Sequence, residues 1–419
     1  MTAMLLLAGT IHAQEADSTQ VKASRFVVGG YGEAVYSHHF YSDNIFRYRF
    51  ADRYSNAPGY GRVDLPHAVI FMGYDFGKGW SFGTEIEFEH GGLEVAVEQE
   101  TEETGEFEHE IERGGEVALE QFWVQKSFGK HLNVRAGHIV VPVGMTNNNH
   151  TPNMFFSVYR PEGENTIMPC TWHETGLSVW GQLGAWRYEV QALPGLNSKL
   201  FTEDGWIHNA SASPYEFRPA NRLACAARID WTGVPGLRLS LSGYVGNSFR
   251  NDIATDTNSN YNDIKGTVAI GSFDFAYRDR WLVVRGNVDY GHLSDAATIS
   301  YLNKNQTTMN GNPYPHTPVG EAAWDAAIEA GLNLLGWRRT DSRLYLFCRY
   351  DAYDSYVGAA DSWMDTEWCQ RQVASVGVNY FPIPEVAIKA EGGIRLLKQQ
   401  YNNEPFVAIG VTWTGFFKN

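Results

Sequence analysis

The sequence predicts an all-β protein: a transmembrane antiparallel β-barrel of about 16 strands, with short periplasmic turns and long extracellular loops. Three observations carry this expectation. Apolar and polar residues alternate with a period of two in segment after segment, which marks strands that are dry on one face only. Turns of a few residues alternate with loops of up to about thirty, the asymmetry of outer-membrane barrels. Aromatic residues (Phe76, Trp80, Phe128, Trp186, Trp231, Trp281, Trp337 and Phe381) sit at strand ends beside the short turns, where an interfacial girdle belongs.

Composition agrees. The 419 residues include 42 glycines and 14% aromatics, while mean hydropathy is only −0.33. No apolar run approaches the roughly 20 residues of a membrane helix. A net charge of −15 excludes a nucleic-acid partner, which needs a basic footprint.

Residues 1–13 read as a secretory signal peptide, an apolar core ending near Ala13, whose basic n-region looks truncated because no Lys or Arg precedes Lys22. Residues 14–24 form a short polar segment, and the barrel is expected over 25–419. Strands are expected at 25–36 and, after a loop, at 66–76. Gly77-Lys78-Gly79 turns the chain into 80–90, where Trp80, Phe82, Ile86 and Phe88 oppose Glu85, Glu87 and Glu89. An acidic segment, 94–116, reads as a solvated extracellular hairpin, with divalent-cation or lipopolysaccharide bridging as the sharper option. Strands at 116–128 and 131–141 flank Gly129-Lys130. A long loop then leads to 175–183 and 185–193, where Trp186, Tyr188 and Val190 oppose Arg187, Glu189 and Gln191. In 221–231, Cys225, Ala227 and Ile229 oppose Arg222, Arg228 and Asp230; in 237–247, three leucines oppose Arg238 and two serines. The remaining strands fall at 266–277, 281–292, 324–335, 342–351, 370–381, 385–397 and 405–417. The last ends in Phe416-Phe417, a terminal strand of the kind the barrel-assembly machinery recognises. Segments 66–76 and 116–128 do not alternate cleanly, which calls for a bulge or for apolar residues buried in the lumen.

Four cysteines imply no disulfide framework, although Cys170 and Cys369 could pair across loops. His38-His39, His109 and His173 lack metal-ligand spacing, so no metal and no cofactor is expected.

From Glu116 to Trp180 the chain resembles the phosphate-selective porin O/P family of Gram-negative outer membranes. The residues that carry the likeness are Glu120-Gln121-Phe122-Trp123-Val124, Asn133-Val134-Arg135-Ala136-Gly137-His138 and Val141-Pro142-Val143-Gly144. Downstream come Asn147-Asn148-Asn149-His150-Thr151-Pro152, Arg160-Pro161-Glu162 and Glu174-Thr175-Gly176. The resemblance implies a homotrimeric sixteen-stranded barrel whose third loop, 142–173 here, folds inward. Phosphate selectivity is not carried over, because only ten lysines are present, scattered, and carboxylates oppose the arginines.

The reading is a porin in the outer membrane that lets small polar or charged solutes, anions among them, diffuse passively. Lipid and lipopolysaccharide would surround it. The expected pore lining is Glu85, Glu87, Glu89, Arg135, Arg160, Glu162, Arg187, Arg222, Arg228, Arg238 and Arg285, with a constriction between the inward loop and the wall arginines. No catalytic residue is assigned. A second class stays open: a secreted all-β carbohydrate-active enzyme or sugar-binding module using the Glu85/Glu87/Glu89 face. Acids two apart on a strand approach the about 5–5.5 Å of a retaining glycosidase pair, but the spacing lacks a bulged Asp-x-x-Glu step. A barrel serving mainly as adhesin or structural anchor is the third option.

Overall fold

The computed structural model describes residues 25–90, 96–100, 108–112, 116–213, 217–252, 261–305, 317–338, 340–358 and 366–417. The signal-peptide expectation and most of the acidic segment lie outside them. Strands β1 (Phe26–His39), β2 (Tyr60–Asp64), β3 (His67–Gly77) and β4 (Trp80–Glu89) open the chain. A separate hairpin follows, in which β5 (Ala96–Glu100) pairs with β6 (Glu108–Glu112). The barrel resumes with β7 (Glu116–Ser127), β8 (Asn133–Val140), β9 (His173–Leu183), β10 (Trp186–Pro194), β11 (Leu223–Val234) and β12 (Leu237–Asn247). It ends with β13 (Thr267–Arg278), β14 (Leu282–Leu293), β15 (Ala322–Asn333), β16 (Arg343–Val357), β17 (Gln370–Ile383), β18 (Val386–Leu396) and β19 (Glu404–Phe417).

Every neighbour pair in the large sheet is antiparallel, and β19 closes on β1 from Val28↔Phe417 to His39↔Phe406. Both β2 and β3 pair with β1, on either side of a break at Leu65-Pro66. They therefore form one stave, and the barrel has sixteen. Pro66 has no N–H to give the ladder, which accounts for the break. Closure removes the edges of the large sheet.

The alternation sorts as expected. Ile70, Phe88, Leu241, Ile328, Val376 and Ile409 are exposed on the outer face, whereas Glu85, Glu189, Asp230, Asp274, Arg285, Glu329 and Lys389 are buried on the inner one. Trp80, Phe128, Trp186, Trp281 and Trp337 are exposed at the short-turn rim. Phe381 departs from that set: it is buried inside with Phe156, Val283, Tyr345 and Phe347.

The two irregular segments have distinct causes. In β7, Glu85 faces Gln121 while Ile86 faces Leu119, so Glu120 is an extra residue. Glu120 and Gln121 consequently both turn inward, and the parity flips within one strand. In β3 there is no flip. Val69 and Phe71 are simply apolar residues buried inside.

The cysteines stay free: Cys225 and Cys348 point outward, while Cys170 and Cys369 are not bonded to each other. The sheet is one closed barrel rather than the two facing sheets of a jelly roll.

Candidate functional site

The loop between β8 and β9, residues 141–172 (hereafter L3), lies inside the barrel. Its entry is a turn that only glycine suits. Gly144 has φ +83°, and the Glu164 carboxylate lies over its α-carbon where a side chain would project. Glu164 accepts hydrogen bonds from the amides of Met145 (2.8 Å), Thr146 (2.9 Å) and Asn147 (2.9 Å). Burial and the nearby Asp289 carboxylate nevertheless push its pKa up. Asn147 ties the two ends of the loop together. Its Nδ2 donates to the Val141 carbonyl at 2.8 Å, and its Oδ1 accepts from the Trp172 amide at 2.7 Å.

The apolar flank of L3 merges with the next loop, 195–222. Val141, Val143, Ile167, Met168 and Trp172 pack with Phe201, Trp206 and Ile207 against inward Ala224, Ala226, Val268, Ile270 and Ala323. Small wall residues leave room for the large loop residues. Each fully buried aliphatic or aromatic side chain contributes about 1.5–3 kcal/mol, so an apolar core holds these loops within the charged wall.

The far end of L3 is held by charge. Lys389 on β18 is fully buried, and its Nζ donates to the carbonyls of Pro152 (2.6 Å), Phe155 (3.0 Å) and Ser157 (2.8 Å). Glu329 accepts from the Phe156 amide at 3.1 Å and Glu391 from the Val158 amide at 2.8 Å. On the short helix Glu162–Ile167, Glu162 binds Arg395 of β18 through both carboxylate oxygens and accepts from the Tyr353 hydroxyl.

The wall arginines are not a free cationic ladder. Arg187 pairs with Glu189 and, at 3.3 Å, with Asp230. Arg228 pairs with Asp230 (2.8 Å) and Asp274 (2.7 Å), and Arg238 with Asp274 (3.1 Å). Arg285 and Arg349 share Glu329, and Arg349 also holds Asp351. Arg135 lies over the Trp123 ring and donates to Gln125. These belts also grip L3, since Arg228 donates to the Gly144 carbonyl at 3.0 Å and Arg238 to Asn149 at 3.2 Å. Arg135 apart, each of these guanidinium groups offsets an inward carboxylate that burial would otherwise penalise.

Within the expected constriction the inward loop meets wall arginines at Glu162–Arg395, Gly144–Arg228 and Asn149–Arg238. Arg160 faces Glu87 at 3.6 Å and the Cys170 carbonyl at 3.0 Å, not a wall arginine. Glu164 caps backbone, and His173 starts β9 beside outward His138. Arg222 precedes β11 and braces the next loop through the Phe249 carbonyl at 3.0 Å. Glu85 and Glu87 are deeply buried, whereas Glu89 is only half-buried.

Beneath L3, on the short-turn side, lies a cavity of about 170 Å³ lined by Arg278, Arg285, Arg343, Asn153, Phe156 and Tyr345, among others. Arg285 is paired, but among the described residues neither Arg278 nor Arg343 has a carboxylate within ion-pair distance. Lys389, Arg349, Arg395 and Arg343 were absent from the expected lining, although inward parity on their strands marks all four. Glu120 was absent for a different reason: the bulge hides its parity.

No family model matches the sequence. An uncharacterised protein of Aquifex aeolicus (strain VF5) is 25% identical over 389 residues, covering 92% of this chain and 79% of that one. Among solved structures, the anion-selective porin of Comamonas acidovorans superposes with a TM-score of 0.54 at 10% identity, over 94% of this chain and 100% of that one. OmpF of Salmonella typhi, solved with daunomycin, gives 0.55 at 9% identity over 93% and 97%. The outer-membrane channel DcaP of Acinetobacter baumannii gives 0.53 at 13% identity over 96% and 100%. The likeness is one of fold, and by it the chain is a sixteen-stranded barrel of the porin architecture.

Proposed function

We propose that the protein is an outer-membrane porin through which small polar or charged solutes pass by passive diffusion, without turnover. The observation that carries this reading is the lumen itself. A closed barrel with an apolar outer face encloses a wall of buried ionisable residues, and one loop is tied to that wall by Arg228 and by Lys389. An inward charged face has no use in a sheet that only needs to pack, whereas rings and opposed rows of charge govern which ions enter a pore.

Anions are the favoured solutes on the turn side. Arg278 and Arg343 face the cavity there with no paired carboxylate among the described residues, so they present uncompensated positive charge. Higher in the lumen Arg228, Arg349 and Arg395 are paired with carboxylates in place. Assembly as a homotrimer, recognition by the barrel-assembly machinery and contact with lipopolysaccharide belong to the same proposal.

Reconstitution in planar bilayers tests it. Stepwise conductance is expected, with a reversal potential in a KCl gradient on the anion side. That potential should move toward cations in Arg278→Ala/Arg343→Ala. A folded barrel that inserts without conductance steps would refute the channel reading, and an unmoved reversal potential would refute the anion assignment.

A further inference from the structure

We infer that Glu85, Glu120 and His150 form a binding site for a divalent transition-metal ion that ties L3 to the wall at β4 and β7. The potential ligand atoms of the three residues all lie within 4.8 Å of one another. All three are more than nine-tenths buried: Glu85 is 4% exposed, Glu120 1% and His150 7%.

Three further features point to a ligand rather than to an idle acidic cluster. First, Glu120 Oε1 is buried and has no hydrogen-bond partner, and leaving a buried carboxylate oxygen bare is costly. Second, the His150 tautomer is set for coordination. Its Nδ1 lies 2.9 Å from the Asn147 carbonyl, which can only accept, so Nδ1 carries the proton and Nε2 keeps its lone pair. Third, the other carboxylate oxygens are already oriented from outside the set. Gln121 donates to Glu85 Oε2, and the Tyr31 hydroxyl reaches Glu120 Oε2 at 3.5 Å. Outer partners of this kind fix metal ligands in place.

The charge balance agrees. Nearby Glu87 has Arg160 at 3.6 Å, and Glu33 has His67 at 2.5 Å. Among the described residues no cationic side chain lies within ion-pair distance of Glu85 or Glu120. Two adjacent carboxylates and one imidazole suit a doubly charged ion of intermediate softness, such as Zn²⁺, Co²⁺ or Mn²⁺, better than an all-oxygen Ca²⁺ cage. The bulge in β7 makes the set possible, because it turns Glu120 inward next to Glu85. His150 comes from L3, so the ion would bridge loop and wall. The site stands whether or not the barrel conducts.

The full chain, refolded in detergent and stripped with EDTA, is titrated with Co²⁺ and then with Zn²⁺ in competition. A single equivalent is expected, with a visible band of nitrogen- and oxygen-coordinated Co²⁺. Glu120→Gln and His150→Gln should each weaken binding by more than ~100-fold, and Tyr31→Phe by ~10-fold. The half-exposed, outward His292→Gln should leave affinity unchanged. If His150→Gln fails to show the heat-modifiable migration of a closed barrel, His150→Cys decides. It keeps a ligand at that position and should add a sulfur-to-cobalt charge-transfer band absent from the parent. The inference is overturned if the folded parent binds neither metal stoichiometrically or binds only Ca²⁺. It is also overturned if affinity survives in folded Glu120→Gln and His150→Gln, or is lost instead in Glu89→Gln of the neighbouring His67/Glu87/Glu89 group.

Discussion

Lys389→Met should release the far end of L3. The native ammonium is fully buried, makes three hydrogen bonds to L3 carbonyls between 2.6 and 3.0 Å, and lies 4.4 Å from the centre of the Phe155 ring. Methionine fills the same apolar stem but leaves the carbonyls of Pro152, Phe155 and Ser157 without a donor. A buried acceptor stranded in this way costs about 1–3 kcal/mol. Three such losses are opposed by relief from burying an ammonium, itself worth several kcal/mol. A net cost of about 3–5 kcal/mol, the range for removing one member of a buried charged contact, follows. That corresponds to a roughly 100- to 4000-fold larger population of the detached loop end. Hydrogen exchange read by mass spectrometry over residues 152–158 measures it directly. The Phe156 and Val158 amides, held by Glu329 and Glu391, are the reporters. Thr412→Val serves as a calibration, because it removes only the 2.6 Å contact of Thr412 with Asn153 and should cost about 1 kcal/mol. Equal protection in Lys389→Met and the parent, or a larger effect from Thr412→Val, would refute the assignment of Lys389 as the anchor.

Four other outcomes are expected. Ile328→Arg places a charge on the outer face at the centre of β15, where Ile328 is 51% exposed. It should destabilise the barrel in lipid by about 2–4 kcal/mol, and a neutral result in vesicle refolding would argue that this face does not meet lipid. Arg228→Ala leaves Asp274 with Arg238 as its remaining cationic partner and frees the Gly144 carbonyl, at a cost of about 1–3 kcal/mol. In single-channel recording, Arg187→Ala/Arg228→Ala should alter conductance through displacement of L3, and unchanged conductance and selectivity would remove these residues from the pore. Finally, burial raises the pKa of Glu162, but the Arg395 pair outweighs it and brings the group from 4.5 down to about 2. Its contribution is therefore complete above about pH 4.5 and is lost as the pH falls toward 2. Relative to Glu162→Gln, the parent should lose loop protection only in that acid window, and a difference that disappears between pH 7 and 5 would contradict it.

Much of the fold was legible because one physical fact dominates it. A strand between two unlike media must alternate, and Trp186-Arg187-Tyr188-Glu189-Val190-Gln191 states both faces in six letters. The wall network was only half legible. Parity marks Lys389, Arg349 and Arg395 as inward, but cannot say that Lys389 would meet three carbonyls of a loop more than two hundred positions earlier. Phe381 was misassigned to the rim because an aromatic beside a turn has the same sequence signal whichever face it takes. Glu120 was illegible for a sharper reason: a single bulged residue inverts the parity of all that precedes it in β7.

What the sequence determined by itself is the barrel, with its stave count, its turn side and loop side, and which residues of regular strands point inward. These depend on local periodicity and chain length, which one dimension records. The tertiary structure decided what the inward residues do. Whether an arginine faces water or a carboxylate, and whether a loop fills the lumen or leaves it, depends on contacts between distant staves. Glu85 shows the difference. Its strand, read alone, offers a carboxylate to water, but in the folded barrel the same group is enclosed with Glu120 and a histidine from L3, because β7 pairs with β4 and L3 folds back inside them.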